Sequence, residues 1–239
     1  LGGVHSHQLD NQPDGTLRLE DVKAAIRPTG NTHFPNTSLI AIENTHNRCN
    51  GATLDTHYLN ALGDIARENG LKFHMDGARV FNAAALLDKP VREIAAPVDS
   101  LMFCLSKGLG APVGSMLCGS TEFIRKARHL RKQLGGGMRQ AGVLAAAGLV
   151  ALEQIMPKLK DDMGKARLLV DLLKDTEKIS VEPKQNGTNM VYMNILDKGI
   201  PAAKLCTQLA KDYDVKMSAV GQFRIRMVVH HWISEEDIR

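Results

Sequence analysis

Aromatic residues are scarce in this chain, with six Phe, three Tyr and one Trp among 239 residues. Proteins that recognise nucleic acid stack bases on rings and follow the phosphates with a basic stripe. Here the formal net charge is only +4 and no basic run occurs, so no nucleic-acid partner is expected; a phosphate-bearing ligand suits so slight an excess. No C-x-x-C pair is present: Cys49, Cys104, Cys118 and Cys206 are scattered. Cys104 and Cys118 fall within apolar runs and read as reduced core residues in a reducing, cytoplasmic compartment. No H-x-x-x-H spacing or Cys/His cluster offers a metal site. No run reaches the roughly 20 apolar residues that span a bilayer, and no signal peptide is visible, so no membrane partner is expected.

What is there suits a soluble globular protein: 44% hydrophobic and 23% charged residues, in a length that accommodates one large domain with a smaller companion. Strand-like and helix-like segments alternate. Residues 38–43, 72–75, 100–105 and 113–118 read as strands, and residues 1–4 as the end of another. Residues 19–26, 54–69 and 81–87 carry helical spacing. This alternation predicts an α/β fold, a sheet covered by helices. After Gly119 the pattern changes. A basic helix over 122–133 is followed by Gly135-Gly136-Gly137 and a long helical pattern over 139–178, kinked or broken at Pro157. Short strands over 189–195 and 224–229 flank a helix over 202–213, which reads as a small α+β domain. The boundary is placed inside the long helix, giving domains 1–155 and 156–239.

Two strand ends carry candidate chemistry. The apolar run 100–106 delivers Lys107 into Gly108-Leu109-Gly110, and the strand ending at Met75 delivers Asp76 into Gly77-Ala78-Arg79. An acid that keeps a pyridine nitrogen protonated and an amine that holds an aldehyde as a Schiff base are what pyridoxal 5'-phosphate requires. The helix and strand between them can return Lys107 to the sheet edge that carries Asp76, where ligands of open α/β sheets collect. Arg224 and Arg226 lie two apart in an alternating segment and share one strand face. Gly135-Gly136-Gly137 reads as a turn, or as backbone approaching an anion beside Lys132 and Arg139. His5, His7, His57, His129 and His231 acquire no partner from the sequence.

Four segments carry a resemblance that covers nearly the whole chain: 43–47 (ENTHN), 74–82 (HMDGARVFN), 106–115 (SKGLGAPVGS) and 135–140 (GGGMRQ). In this order they resemble the low-specificity threonine aldolases, fold-type-I pyridoxal-phosphate enzymes. The resemblance implies an aspartate-aminotransferase-like fold with a mixed, mostly parallel sheet in the large domain. It implies a homodimer or homotetramer, a small amino-acid substrate, and cleavage of L-threonine or L-allo-threonine to glycine and acetaldehyde. It assigns Lys107 to the Schiff base, Asp76 to the ring nitrogen and Arg79 to the phenolic oxygen. Arg226 takes the substrate carboxylate, and His33 approaches the substrate β-hydroxyl as its base. Lys132 and Arg139 border a neighbouring subunit's active site, near the cofactor phosphate, and His46 orders a strand-end loop. The family's phosphate loop and ring-stacking side chain are not identifiable here, so the chain reads as an internal piece lacking about its first third and the end of its C-terminal helix. Two alternatives stay open: another fold-type-I enzyme, transaminase or β-eliminating lyase, and a non-catalytic remnant.

Overall fold

The computed structural model describes residues 2–181 and 187–239. Its first sheet has the order β1-β2-β3-β4, built from Leu39–Glu43, Lys72–Asp76, Ser100–Cys104 and Ser115–Gly119. The first three strands are parallel and β4 runs antiparallel to β3, the mixed, mostly parallel sheet expected. Residues 2–4 form no strand, and Leu1 lies outside the described residues.

The crossover helix α2, Thr56–Glu68, shows why these segments fold as they do. Asp55 caps it, its side chain accepting from the Tyr58 N–H, and Leu59, Leu62, Ile65 and Ala66 recur at helical spacing and are buried. It ends at Gly70, whose φ of +67° is a left-handed conformation that glycine adopts without strain. Phe73 and Met75 of β2 are fully buried against α2 and against α3, Val80–Leu87, together with Ile94 and Leu101. Each such side chain contributes about 1.5–3 kcal/mol through its removal from water.

β4 departs from the sequence reading. All five of its residues are exposed, Cys118 among them, so Cys118 is a free surface thiol and not a core residue. The reason is position: β4 is an edge strand, paired on one side only. The basic helix α5, Thr121–Gln133, follows it and buries none of its residues.

The long helical pattern is one continuous rod from Gly142 to Leu173, but not uniform α-helix. α6, Gly142–Val150, passes through a π turn at Ala151–Ile155 and a 3-10 turn at Met156–Lys158 into α7, Leu159–Leu173. Pro157, lacking an N–H and clashing with the preceding turn, accounts for the irregularity. At 32 residues, with a mean hydropathy of 1.3 in its most apolar window, this rod is long and apolar enough to cross a membrane by length and composition. That corrects the expectation that no segment would be. Ala151 and Leu159 pack with Leu105 and Leu109 of the first sheet's loops, and Ala166 packs into the second core.

The second sheet has the order β5-β6-β8-β7, from Ile179–Val181, Met190–Ile195, Arg224–Val228 and Ser218–Gly221, all antiparallel. Val191, Met193, Ile225 and Met227 turn one face onto α7 and α8, Ala202–Tyr213. The strand period of two sends Tyr192, Arg224 and Arg226 to the other face, toward the first sheet.

Asp99 joins β2 to the approach of β3. Its carboxylate accepts from Lys72 Nζ at 2.7 Å and from the Phe73 N–H at 2.9 Å. The Lys72 hydrogen bond holds this carboxyl below its ordinary value, burial opposing, with help from the Phe73 N–H. A carboxyl depressed in the folded state stabilises above the unfolded value of about 3.9, and that contribution is lost as pH falls through the lower folded value. Asp99→Ala is therefore expected to cost about 1 kcal/mol at pH 7, discounted for the screening of a part-exposed group. The difference from the unsubstituted protein should shrink as the pH falls below 4; urea unfolding at pH 7 and pH 3 measures both.

Candidate active site

The three parallel strands bring their last residues, Glu43, Asp76 and Cys104, to one edge. Glu43 pairs with Asp76 in register, and Met102 lies opposite Asp76. The loops that leave this edge carry the chemistry, as open α/β sheets generally arrange. The Asp76 side chain accepts from the Ala78 N–H at 3.1 Å and is otherwise exposed. Gly77 N donates to Met102 O at 2.8 Å, and Cys104 N to Ala78 O at 3.3 Å. These bonds set the end of β3 beside the 76–79 turn.

Lys107 follows three residues later, at the tip of a loop closed by its own backbone. Leu105 N donates to Gly114 O, Ala111 N to Leu105 O, and Gly110 N to Lys107 O, at 2.8–3.0 Å. Lys107 itself is exposed, presented at an open edge and not enclosed in a cleft. A cavity of about 450 Å³ lies elsewhere, lined by residues that include Asp14, Asp55, Tyr58 and Arg167.

Arg79 opens α3. Burial and the nearby Arg226 guanidinium push its pKa below the ordinary value, while Glu43, Tyr192 and Cys104 pull it back. Arg226 Nη1 donates to Asn47 Oδ1 at 3.1 Å, and its Nε is buried with no partner among the described residues. Asn47 is itself held twice: its N–H donates to Glu43 Oε1 at 3.1 Å, and its carbonyl accepts from the Tyr192 hydroxyl at 2.7 Å. Arg224 is occupied differently, donating to Asn50 Oδ1 at 2.7 Å and lying 4.5 Å over the Tyr192 ring. Geometry therefore separates two arginines that strand alternation could not.

The 44–54 turn is a rigid platform for these contacts. Asn44 is fully buried; its N–H donates to Asp76 O, and its side-chain oxygen accepts from Leu54 N at 3.1 Å. His46 is buried and its ring accepts from the Cys49 N–H, while its backbone bonds to Ala52 and Gly51. Sequence reasoning placed His46 in this loop but missed Asn47, Tyr192 and Glu43 as partners of the arginines. Asn47 and Glu43 are the two ends of the 43–47 segment, which was the available signal.

Three expected residues stand apart. His33 is exposed on the loop between α1, Leu19–Ala25, and β1, with its N–H on Asn31 Oδ1. Lys132 and Arg139 are exposed at the end of α5 and in the turn before α6. Within one chain no described contact joins any of the three to Asp76, Arg79, Lys107 or Arg226.

The profile of the Beta-eliminating lyase family matches residues 1–196. The chain is 47% identical over 240 residues to a probable low-specificity L-threonine aldolase 2 of Arabidopsis thaliana, covering all of this chain and 67% of that protein. It is 36% identical over 239 residues to the low specificity L-threonine aldolase of Escherichia coli K12, covering all of this chain and 68% of that one. Among solved structures, a putative L-allo-threonine aldolase of Listeria monocytogenes superposes with a TM-score of 0.76 at 19% identity, over 95% of this chain and 62% of the other. A Leishmania major threonine aldolase superposes with a TM-score of 0.74 at 22% identity, over 95% and 66%. The chain thus spans about two thirds of the length of its curated relatives and somewhat less of these solved structures.

Proposed function

Because the chain belongs to the Beta-eliminating lyase family, we propose that it is a carbon–carbon lyase that cleaves L-threonine, L-allo-threonine and related β-hydroxy-α-amino acids to glycine and an aldehyde. The observation that carries this reading is the sheet edge that presents Asp76 and Lys107, with Arg226 held on Asn47 of the loop that leaves the same edge. The Arg226 guanidinium, its Nε buried and without a partner among the described residues, calls for an anion.

The donor set suits pyridoxal 5'-phosphate, which when bound supplies an electron sink for the pair released as Cα–Cβ breaks. Asp76 would hold the ring nitrogen with its exposed carboxylate, Arg79 the phenolic oxygen, and Lys107 the aldehyde carbon. Arg226 binds the substrate carboxylate through two parallel hydrogen bonds and so fixes which bond at Cα is poised to break. Lys107, exposed at a loop tip whose backbone is closed, carries the proton to Cα. His33 takes the β-hydroxyl proton; its loop would have to close over the edge to do so.

Lys132 and Arg139 act on the cofactor phosphate of a neighbouring subunit in a homodimer or homotetramer, a reading supported by their exposure away from their own chain's edge. We divide the chain into a cofactor-binding part, 1–155, and a C-terminal part, 156–239; the change of packing partner along the helical rod, from Leu105 at Ala151 to the second core at Ala166, supports a boundary there. We read the protein as a soluble cytoplasmic enzyme, with that rod serving two protein cores.

Incubating the chain with pyridoxal 5'-phosphate and L-allo-threonine should release acetaldehyde and glycine in equal amounts. A keto acid in place of acetaldehyde would convert the reading to a transaminase. No product from a folded, cofactor-loaded chain would sink the lyase reading altogether.

A further inference from the structure

We propose that His231 is a positioning residue that holds the Lys107 loop at a fixed place relative to the Arg226 strand. The proposal rests on the reading of Lys107 as the cofactor lysine, and it concerns groups that the chemistry above does not use.

The Lys107 loop is gripped on both sides of its lysine. Gly108 packs on Asn82 of α3, so closely that a Cβ there would meet Asn82 Oδ1 at 2.7 Å. Gly110, at φ +73°, packs on His231, where a Cβ would lie 2.6 Å from the ring's Cε1. Both grips lead to the strand that carries Arg226. Asn82 Nδ2 donates to Asn189 Oδ1 at 3.3 Å, Asn189 Nδ2 donates to Val229 O at 2.7 Å, and Val229 N donates back to Asn189 O at 2.9 Å. Val229 follows β8 directly, and His231 lies two residues beyond it. Lys107 and Arg226 are therefore joined by two short routes, one through buried asparagines and one through an imidazole.

His231 is itself anchored from α7. Lys165 Nζ donates to Ile233 O at 2.7 Å and lies 3.1 Å from Asp162 Oδ1, a carboxylate only 1% exposed. The His231 ring also lies against Trp232, tilted by 41° with the ring centroids 4.8 Å apart. Burial holds its imidazole below the ordinary value, opposed by Asp162 and assisted by His230, Lys158 and Lys165. Its Nδ1 is buried without a partner among the described residues. A ring that makes no hydrogen bond through that atom acts by its shape, and a group seated on a glycine without a Cβ limits how far the loop can move.

The alternative is that His231 merely completes the second core, and amide exchange separates the two. The amides of Leu105, Gly110 and Ala111 report on loop closure through the bonds described above. In the full chain, His231→Ala should speed their exchange by about tenfold or more while the amides of β6 and β8 stay unchanged. Borohydride-trapped labelling of Lys107 by pyridoxal 5'-phosphate should slow by about tenfold for the same reason. His231→Phe, which keeps a ring and drops the orphan nitrogen, should return both to within about twofold.

Unchanged exchange at the three amides would overturn the proposal, as would faster exchange spread evenly through the C-terminal sheet, or failure of the phenylalanine to restore the loop. Absence of Lys107 labelling in the unsubstituted protein would overturn the cofactor reading, while exchange alone still decides whether His231 positions the loop.

Discussion

Replacing Lys107 by alanine is expected to remove the visible absorption band that pyridoxal 5'-phosphate gives with the protein and borohydride bleaches, and to cut turnover of L-allo-threonine by about 10³-fold or more. The magnitude follows from losing two services at once, the amine that holds the aldehyde and the carrier of the Cα proton, the second of which alone contributes roughly 10²–10⁴. Stability should not follow activity. Lys107 is exposed and its loop is closed by backbone bonds from Leu105, Gly110 and Ala111, so the urea midpoint should stay in place. A surviving bleachable band would mean that another amine holds the aldehyde, and peptide mapping of the reduced adduct would identify it.

Arg226→Ala should lower kcat/KM by about 10²–10⁴-fold, because hydrogen bonds to charged groups contribute roughly 1.5–3 kcal/mol each and a carboxylate takes two. Arg226→Lys should recover only part of this, since an ammonium restores the charge but not the planar fork. Asn47 sharpens the test. Its amide oxygen holds Arg226 Nη1 without neutralising it, which leaves the guanidinium charge for a ligand. Asn47→Asp puts a permanent carboxylate against the same nitrogen and should raise KM about tenfold with kcat little altered. If Arg226→Ala leaves both constants unchanged, the substrate carboxylate binds elsewhere, and Arg224, beside Tyr192 and Asn50, becomes the residue to substitute.

How much of this was legible in the sequence depended on the range of the interactions. Asp76 and Lys107 could be found because each is a charged group at the end of, or just beyond, a short strand-like run, and the turn that presents it is local. β1 to β3 and α2 appear within a residue or two of their expected positions because burial on a parallel sheet and on a helical stripe leaves a dense apolar pattern. β5 and β7 were missed: they are three and four residues long, and β7 carries an irregularity between Ala219 and Gly221. Too few alternations occur in them for a period of two to register. Cys118 was misjudged because an apolar run says nothing about which strand will be the edge.

The arginines make the same point. Arg224 and Arg226 look alike at the level of alternation, and what distinguishes them is which of Asn47 and Asn50 each meets across the sheets. The roles expected of His33, Lys132 and Arg139 rest on resemblance alone, since no described contact within the chain joins them to Asp76, Arg79, Lys107 or Arg226. His231, to which the sequence assigned no partner, acquired one through the absence of a side chain at Gly110.

The wiring of the two substrate-facing ends also differs in span, and that orders the birth of the site during folding. The bonds that shape the Lys107 loop lie between residues 105 and 114, whereas Arg226 meets Asn47 across 179 residues of chain. Closing the longer span costs more chain entropy and requires both sheets to be assembled first. A nascent or partly denatured molecule therefore has the local bonds of its lysine loop before it has the contact between Asn47 and Arg226. On the proposed roles, the setting of the amine begins as a local matter, and the group that orients an amino acid is the last to arrive.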